Sequence, residues 1–175
     1  MCIIEPEVFE DPRGCFFETY HREKFAALGI HAVFVQENQS LTRAGVLRGL
    51  HYQLAHPQAK LCRVVSGEVF DVAVDIRRGS PTFGHRVEAV LSADNWLQFW
   101  VPEGFAHGYC TLEDDTEVQY KVSKFYSPPH ERGIAWNDPA LAIGWPFSVE
   151  VVTISNRDRE LPRLAEQPDL FEYRA

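Results

Sequence analysis

The chain reads as an antiparallel all-β protein, a sandwich or barrel. Short segments rich in β-branched and aromatic residues follow one another, and turn signals separate them at regular intervals. Strand–helix alternation and a G-x-G-x-x-G run are both missing, which argues against a dinucleotide-binding fold.

Taken in order, Arg22-Glu23-Lys24-Phe25-Ala26-Ala27-Leu28 is the best helix signal, and Gly29 supplies a left-handed stop. Residues 33–36 predict a strand. Residues 61–65 and 69–76 flank Ser66-Gly67-Glu68, a tight-turn signal. Within 69–76, Phe70, Val72, Val74 and Ile76 alternate with Val69, Asp71, Ala73 and Asp75, giving a strand with two different faces. Segments 86–91, 96–101, 108–112 and 117–122 continue the series. Gly79-Ser80-Pro81, Pro102-Glu103-Gly104 and Ser127-Pro128-Pro129 punctuate it. Beyond Tyr126 the pattern loosens. Trp136-Asn137-Asp138-Pro139 and Gly144-Trp145-Pro146 read as packed loops, and the polar tail from Asp158 predicts a short helix near Leu170.

The length of 175 residues, 45% of them hydrophobic, suits one domain spanning 1–175 with a full core. A net charge of −8 disfavours a generic nucleic-acid binder, which needs a basic surface, but leaves room for a local basic pocket. No apolar run reaches the ~18–20 residues of a membrane span, and the start lacks the pattern of a signal peptide. Cys2, Cys15, Cys62 and Cys110 form no C-x-x-C pair. They read as reduced, mostly buried thiols of a cytoplasmic protein, not as a disulfide framework or a metal site.

Three polar clusters interrupt the strand pattern. In Arg48-Gly49-Leu50-His51, an Arg and a His lie three apart beside a glycine that permits close backbone approach. An edge-strand His next to a solvated Arg is the plain alternative. Pro102-Glu103-Gly104-Phe105-Ala106-His107 is a P-x-G-x-x-H run similar to the second motif of the cupin superfamily; a turn followed by a core His explains it equally well. The third cluster is Tyr120-Lys121, Tyr126 and Glu131, for which amphipathic residues at a strand end are the plain reading. Lys60, Arg63 and Asp71 place charges on strands that otherwise read as buried, where ion pairing between sheet faces is the simple explanation.

Jointly these runs resemble one family over nearly the whole chain. Phe9-Glu10-Asp11-Pro12-Arg13-Gly14, Gln36-Glu37-Asn38-Gln39-Ser40 and Gly45 through Gln53 match it. So do Lys60 through Arg77, Gly79 through Gly84, Pro102 through His107, and Gly133 through Pro139. The chain is similar to the dTDP-4-dehydrorhamnose 3,5-epimerases. The resemblance implies a mainly β, cupin-type antiparallel jelly-roll barrel with a few short helices. It also implies a cytoplasmic homodimer acting on a dTDP-linked 4-keto-6-deoxyhexose in deoxysugar synthesis, with no cofactor, metal, nucleic acid or membrane partner.

The chemistry of that reaction accounts for the residue types. Protons beside a ketone are acidic because the anion spreads onto oxygen as an enolate. Inversion therefore needs a base, an enolate stabiliser and an acid on the opposite face. By resemblance His51 is the base, with an ordinary imidazole pKa of about 6.5. Asp158 of Ile154-Ser155-Asn156-Arg157-Asp158 orients it, Tyr120 is the acid, and Lys60 faces the enolate oxygen. Asp71 and His107 position the pocket. Arg48, Arg63 and Arg13 meet the diphosphate. Gln36, Asn38, Glu18, Tyr126 and Glu131 complete the nucleotide and sugar contacts. The family usually has a further N-terminal strand before Ile3-Ile4-Glu5-Pro6, often exchanged between subunits; here either the start is shorter or the dimer arm is reduced, which bears on strand exchange and not on the chemistry. Two other readings remain open at this point: a metal-dependent cupin using His51 and His107, and a noncatalytic sugar-nucleotide-binding cupin. Gln53, where a second metal-binding His would stand in a His-x-His pair, weighs against the first.

Overall fold

A computed structural model describes residues 1–148 and 151–174. In chain order its elements are β1 (Cys2–Ile4), β2 (Val8–Asp11), β3 (Gly14–Phe17), α1 (Arg22–Ala27), β4 (Gln36–Thr42), β5 (Val46–Gln53), β6 (Lys60–Ser66) and β7 (Glu68–Asp75). There follow β8 (Arg77–Arg78), β9 (Arg86–Ser92), β10 (Gln98–Val101), β11 (Phe105–Thr111), β12 (Thr116–Val122), β13 (Glu131–Gly133), β14 (Thr153–Ile154), α2 (Asn156–Arg159) and β15 (Phe171–Glu172). The fold is the mainly β, antiparallel jelly roll that the sequence implies.

Two sheets carry it. One runs β1-β10-β6-β12-β4, the other β13-β5-β11-β7-β9, with β14 added in parallel to β5. Cys62, Val64, Phe99, Val101 and Val118 from the first sheet meet Val69, Ala73, Leu91 and Tyr109 from the second, forming the interlayer core. The two faces of β7 explain its alternation. Val69 and Ala73 face this core, while Val72, Val74 and Ile76 pack outward under Ile134, Leu141 and Leu164. Both faces are therefore dry, and the loops after β13 are packed layers, not solvent-facing connections.

Four local expectations are corrected. The strand expected at 33–36 begins only at Gln36 and continues through the polar Gln36–Thr42. Hydrophobicity misleads there because the inward residues of β4 line a polar cavity, while Val33 and Val35 are exposed. The strand expected at 96–101 starts at Gln98, since Trp96 adopts a positive φ of 54° just before it. The helix expected near Leu170 is the strand β15, which pairs with the free edge of β8; Pro168 breaks the helical path just before it. Of the cysteines, Cys62 and Cys110 are buried, but Cys2 and Cys15 are exposed because they sit on peripheral strands with no layer above them.

The C-terminal strand is latched by a buried carboxylate. Asp75 accepts hydrogen bonds from Arg77 (Nη2, 2.7 Å), Ser80 (Oγ, 2.7 Å) and Thr82 (Oγ1, 2.6 Å). The Arg77 guanidinium lies 4.7 Å from the Phe105 ring centroid and 5.1 Å from that of Tyr173. Burial pushes the Asp75 carboxyl up, but these donors outweigh it and hold it well below the usual carboxylate range. Its stabilising contribution is thus complete above the unfolded value of about 3.9 and is lost as pH falls toward the folded value. Asp75→Asn is expected to cost about 3 kcal/mol at neutral pH. Urea unfolding at several pH values checks this: the variant's stability should fall less steeply on acidification than that of the wild type.

Candidate active site

The polar clusters converge on a cavity of about 660 Å³ between the two sheets. Strand parity explains most of its lining. Gln36, Asn38 and Ser40 alternate inward on β4, Lys60 on β6, Tyr120 on β12, and His107 and Tyr109 on β11.

Arg48 and His51 are three apart, so a regular strand would turn them to opposite faces. Both line the cavity because β5 is irregular: His51 lies opposite His107 and Arg48 opposite Tyr109, three residues spanning two. Gly49, at φ +127°, makes this fit possible. A Cβ there would stand 2.6 Å from the Gly108 Cα and 2.8 Å from the His107 carbonyl oxygen.

Asp158 reaches His51 through a pairing more than a hundred residues distant in sequence. β14 places Thr153 beside Val46 and Ile154 beside Leu47. Ser155 then caps α2, its Oγ accepting from the Asp158 backbone N–H at 3.1 Å. The cap turns Asp158 back onto β5, where Oδ1 lies 2.7 Å from His51 Nε2 and Oδ2 accepts from the Gly49 N–H at 3.4 Å. The Asp158 side chain is 4% exposed, against 22% for His51. Burial pushes the Asp158 carboxyl up, but the bond to His51, the Gly49 N–H and the Arg157 charge together hold it below its ordinary value. A carboxylate only accepts, so Nε2 carries the hydrogen toward it, and the imidazole is oriented as in a hydrolase triad.

Beside this pair lies a residue that sequence reasoning passed over. Arg157 donates to both carboxylate oxygens of Glu131, at 2.7 and 2.9 Å, and its Nη2 comes within 3.4 Å of His51 Nε2. Tyr126 donates to Glu131 Oε2 at 2.6 Å. Arg157 fell among the unspecified positions of the I-S-x-x-D segment, and only the turn of α2 brings it to the rim. The Glu131 carboxylate offsets its charge beside the imidazole.

On the floor, His107 Nε2 lies 2.7 Å from Asp71 Oδ1, both residues buried. Burial raises Tyr120 above the ordinary phenol value and takes Tyr109 to about 12. It lowers Lys60, with nearby Cys62 and Asp71 partly opposing that change. Arg48 lines the cavity and donates to Thr42 Oγ1 at 3.2 Å.

His51, Asp158, Tyr120, Lys60, His107, Arg48, Gln36, Asn38, Tyr126 and Glu131 thus share one cavity, with Asp71 directly behind His107. Three expected contacts lie elsewhere. Arg63 neighbours the inward Cys62 on β6 and so points to the outer face, donating to Gln119 Oε1 at 2.7 Å. That parity removes Arg63 from this chain's pocket. Arg13 pairs with Asp11 on the exposed β2–β3 hairpin, and Glu18 pairs with Lys24.

The family profile described as dTDP-4-dehydrorhamnose 3,5-epimerase matches residues 1–166. The chain belongs to the dTDP-4-dehydrorhamnose 3,5-epimerase family. It is 52% identical to the epimerase of that name from Pseudomonas aeruginosa over 159 residues, 90% of this chain and 87% of the relative. Identity to the Methanothermobacter thermautotrophicus epimerase is 47% over 167 residues, covering 95% and 90% of the two chains. Among solved structures, the Legionella pneumophila 3,5-epimerase in complex with dTDP-4-keto-L-rhamnose superposes with a TM-score of 0.95. The two are 46% identical, and the match covers 99% of this chain and 93% of that one. The epimerase is therefore an isomerase of small-molecule sugar nucleotides, and no helix among its described residues is long and apolar enough to cross a membrane.

Proposed function

We propose that the chain inverts C3 and C5 of a dTDP-linked 4-keto-6-deoxyhexose through an enolate, with His51 as base and Tyr120 as acid. The observation that carries this reading is the His51–Asp158 pair facing the same cavity as Tyr120. C3 and C5 both flank the C4 ketone, so one base serves either carbon. One ring nitrogen of His51 is occupied by Asp158; the other takes the carbon-bound proton. The C–H electron pair moves into the carbon–carbon bond and onto the C4 oxygen, where the Lys60 ammonium offsets the developing charge. The Tyr120 hydroxyl, kept protonated by burial, returns a proton to the opposite face; solvent then reprotonates the phenolate and takes the proton from the His51 imidazolium, which resets both groups. The Arg48 guanidinium meets the diphosphate, and Gln36, Asn38, Tyr126, Glu131 and Arg157 hold the nucleotide and sugar. Asp71 and His107 position the floor.

Arg13 and Glu18 enter this scheme by acting in a second copy's cavity. The β2–β3 hairpin, which carries Arg13 and runs into Glu18, exposes Phe9 (54%) and Phe16 (66%), an apolar pair suited to burial against a partner. A homodimer in sedimentation equilibrium, with Phe16→Asp weakening it, is the expected result.

The direct test is NMR of the product from dTDP-4-keto-6-deoxyglucose in deuterated water. Deuterium should enter at both C3 and C5; a product labelled at one carbon would refute double inversion. Tyr120→Phe should retain exchange at the first carbon while completed inversion falls about 10²–10⁴-fold. Equal loss of both would remove Tyr120 from the acid role.

A further inference from the structure

One buried nucleophile has no part in that chemistry. Cys62 points inward from β6, its Sγ 3.8 Å from His107 Nε2, and His107 in turn meets Asp71. Ligand atoms of Cys62, Asp71 and His107 all lie within 4.8 Å of one another, and all three residues are buried. The second Asp71 oxygen, Oδ2, is buried without a hydrogen-bond partner among the described residues. An orphaned carboxylate oxygen in a dry interior normally costs stability, so this group is one that a ligand would satisfy.

We propose that Cys62, Asp71 and His107 form a binding site for a thiophilic divalent cation of the Zn²⁺ class, and that its occupancy inhibits epimerisation.

The donor set is that of zinc: one thiolate, one imidazole and one carboxylate, leaving a fourth tetrahedral position. His107 lines the cavity, so that position opens toward it and water can fill it. Ligand atoms around tetrahedral zinc stand about 3.3–3.7 Å apart, given bonds of about 2.0–2.3 Å. The present separations need to change by only a fraction of an ångström to about one ångström. Binding forms metal–sulfur, metal–nitrogen and metal–oxygen bonds. The thiol proton leaves to solvent, and the imidazole changes tautomer, its hydrogen moving from Nε2, where it now faces Asp71, to Nδ1, which frees Nε2 for the metal. The Asp71–His107 hydrogen bond is given up in exchange. Binding requires nothing of the proposed function. The inhibitory effect rests on it, because the ion would occupy the floor beside Lys60 and withdraw His107.

Cobalt(II) titration of the full chain separates the two. One equivalent should produce a thiolate-to-cobalt charge-transfer band in the near ultraviolet. The band should vanish in Cys62→Val and in the closer isostere Cys62→Ser, both of which keep the exposed Cys2 and Cys15 as internal controls. Zinc should inhibit the wild type reversibly, with chelator restoring turnover. Cys62→Val should keep its metal-free activity and raise the half-inhibiting zinc concentration by more than about tenfold. Absence of the band, or its survival in both variants, overturns the site. A Cys62-dependent band with turnover unaffected by zinc overturns the inhibitory role. If the metal-free wild type fails to exchange substrate protons, the epimerase reading falls, while the band still decides the site.

Discussion

His51→Asn is expected to lose about 10²–10⁴-fold in turnover and, with it, the incorporation of solvent deuterium at both C3 and C5. Asparagine fills similar space and can still donate to Asp158, so the fold and the α2 contact should survive. What it cannot do is accept a proton at neutral pH. The 2.7 Å bond from Asp158 fixes one ring nitrogen and stabilises the imidazolium formed on the other. Both inversions draw on that nitrogen, so exchange at the two carbons should fall together. Thermal melting of the variant guards against a trivial folding defect. A well-folded His51→Asn protein that exchanges deuterium at the wild-type rate would assign the base elsewhere.

Gly49→Ala is expected to be the most damaging small substitution to stability, at about 3 kcal/mol or more, or roughly 6–12 °C in melting temperature for a chain of this size. Two penalties combine. The backbone sits at φ +127°, where an L side chain is strained, and the new methyl would stand 2.6 Å from a backbone atom of Gly108. Relief is poor on either side. Gly108 has no room of its own to yield: a Cβ placed on it would stand 2.6 Å from the Arg48 carbonyl oxygen. Pushing β5 from β11 would also disturb the irregularity that turns Arg48 and His51 to one face. Activity should therefore fall along with stability. Urea unfolding and turnover measured on one preparation check this; a melting temperature within about 2 °C of wild type would mean that the strands separate easily here.

Strand faces were legible wherever one face is dry. The alternation in 69–76 anticipated β7, although its charged members Asp71 and Asp75 lie as deep as the valines. Legibility failed at β4, whose inward residues Gln36, Asn38 and Ser40 are polar because they face a ligand cavity. A hydrophobic pattern cannot report a strand that buries nothing apolar on either face. Among site residues, parity alone separates inward Lys60 and Cys62 from outward Arg63, once the strand is known to be regular. Arg157 was hidden because its neighbour Asp158 carries the recognisable pattern, and a one-turn helix brings both to His51.

By itself the sequence determined the strand-rich class and the approximate extents of α1, β6, β7, β9 and β12, and through its joint motifs it pointed to His51, Asp158, Lys60 and Tyr120, which share the cavity. These are local matters of side-chain type and spacing, which the linear order of residues encodes directly. The tertiary structure alone decided the irregularity that aligns Arg48 with His51 and the parallel pairing of β14 that delivers Arg157 with Asp158. It also gathered Cys62, Asp71 and His107 from three strands. Those outcomes depend on register between distant segments, which packing of two sheets sets and no short window of sequence contains.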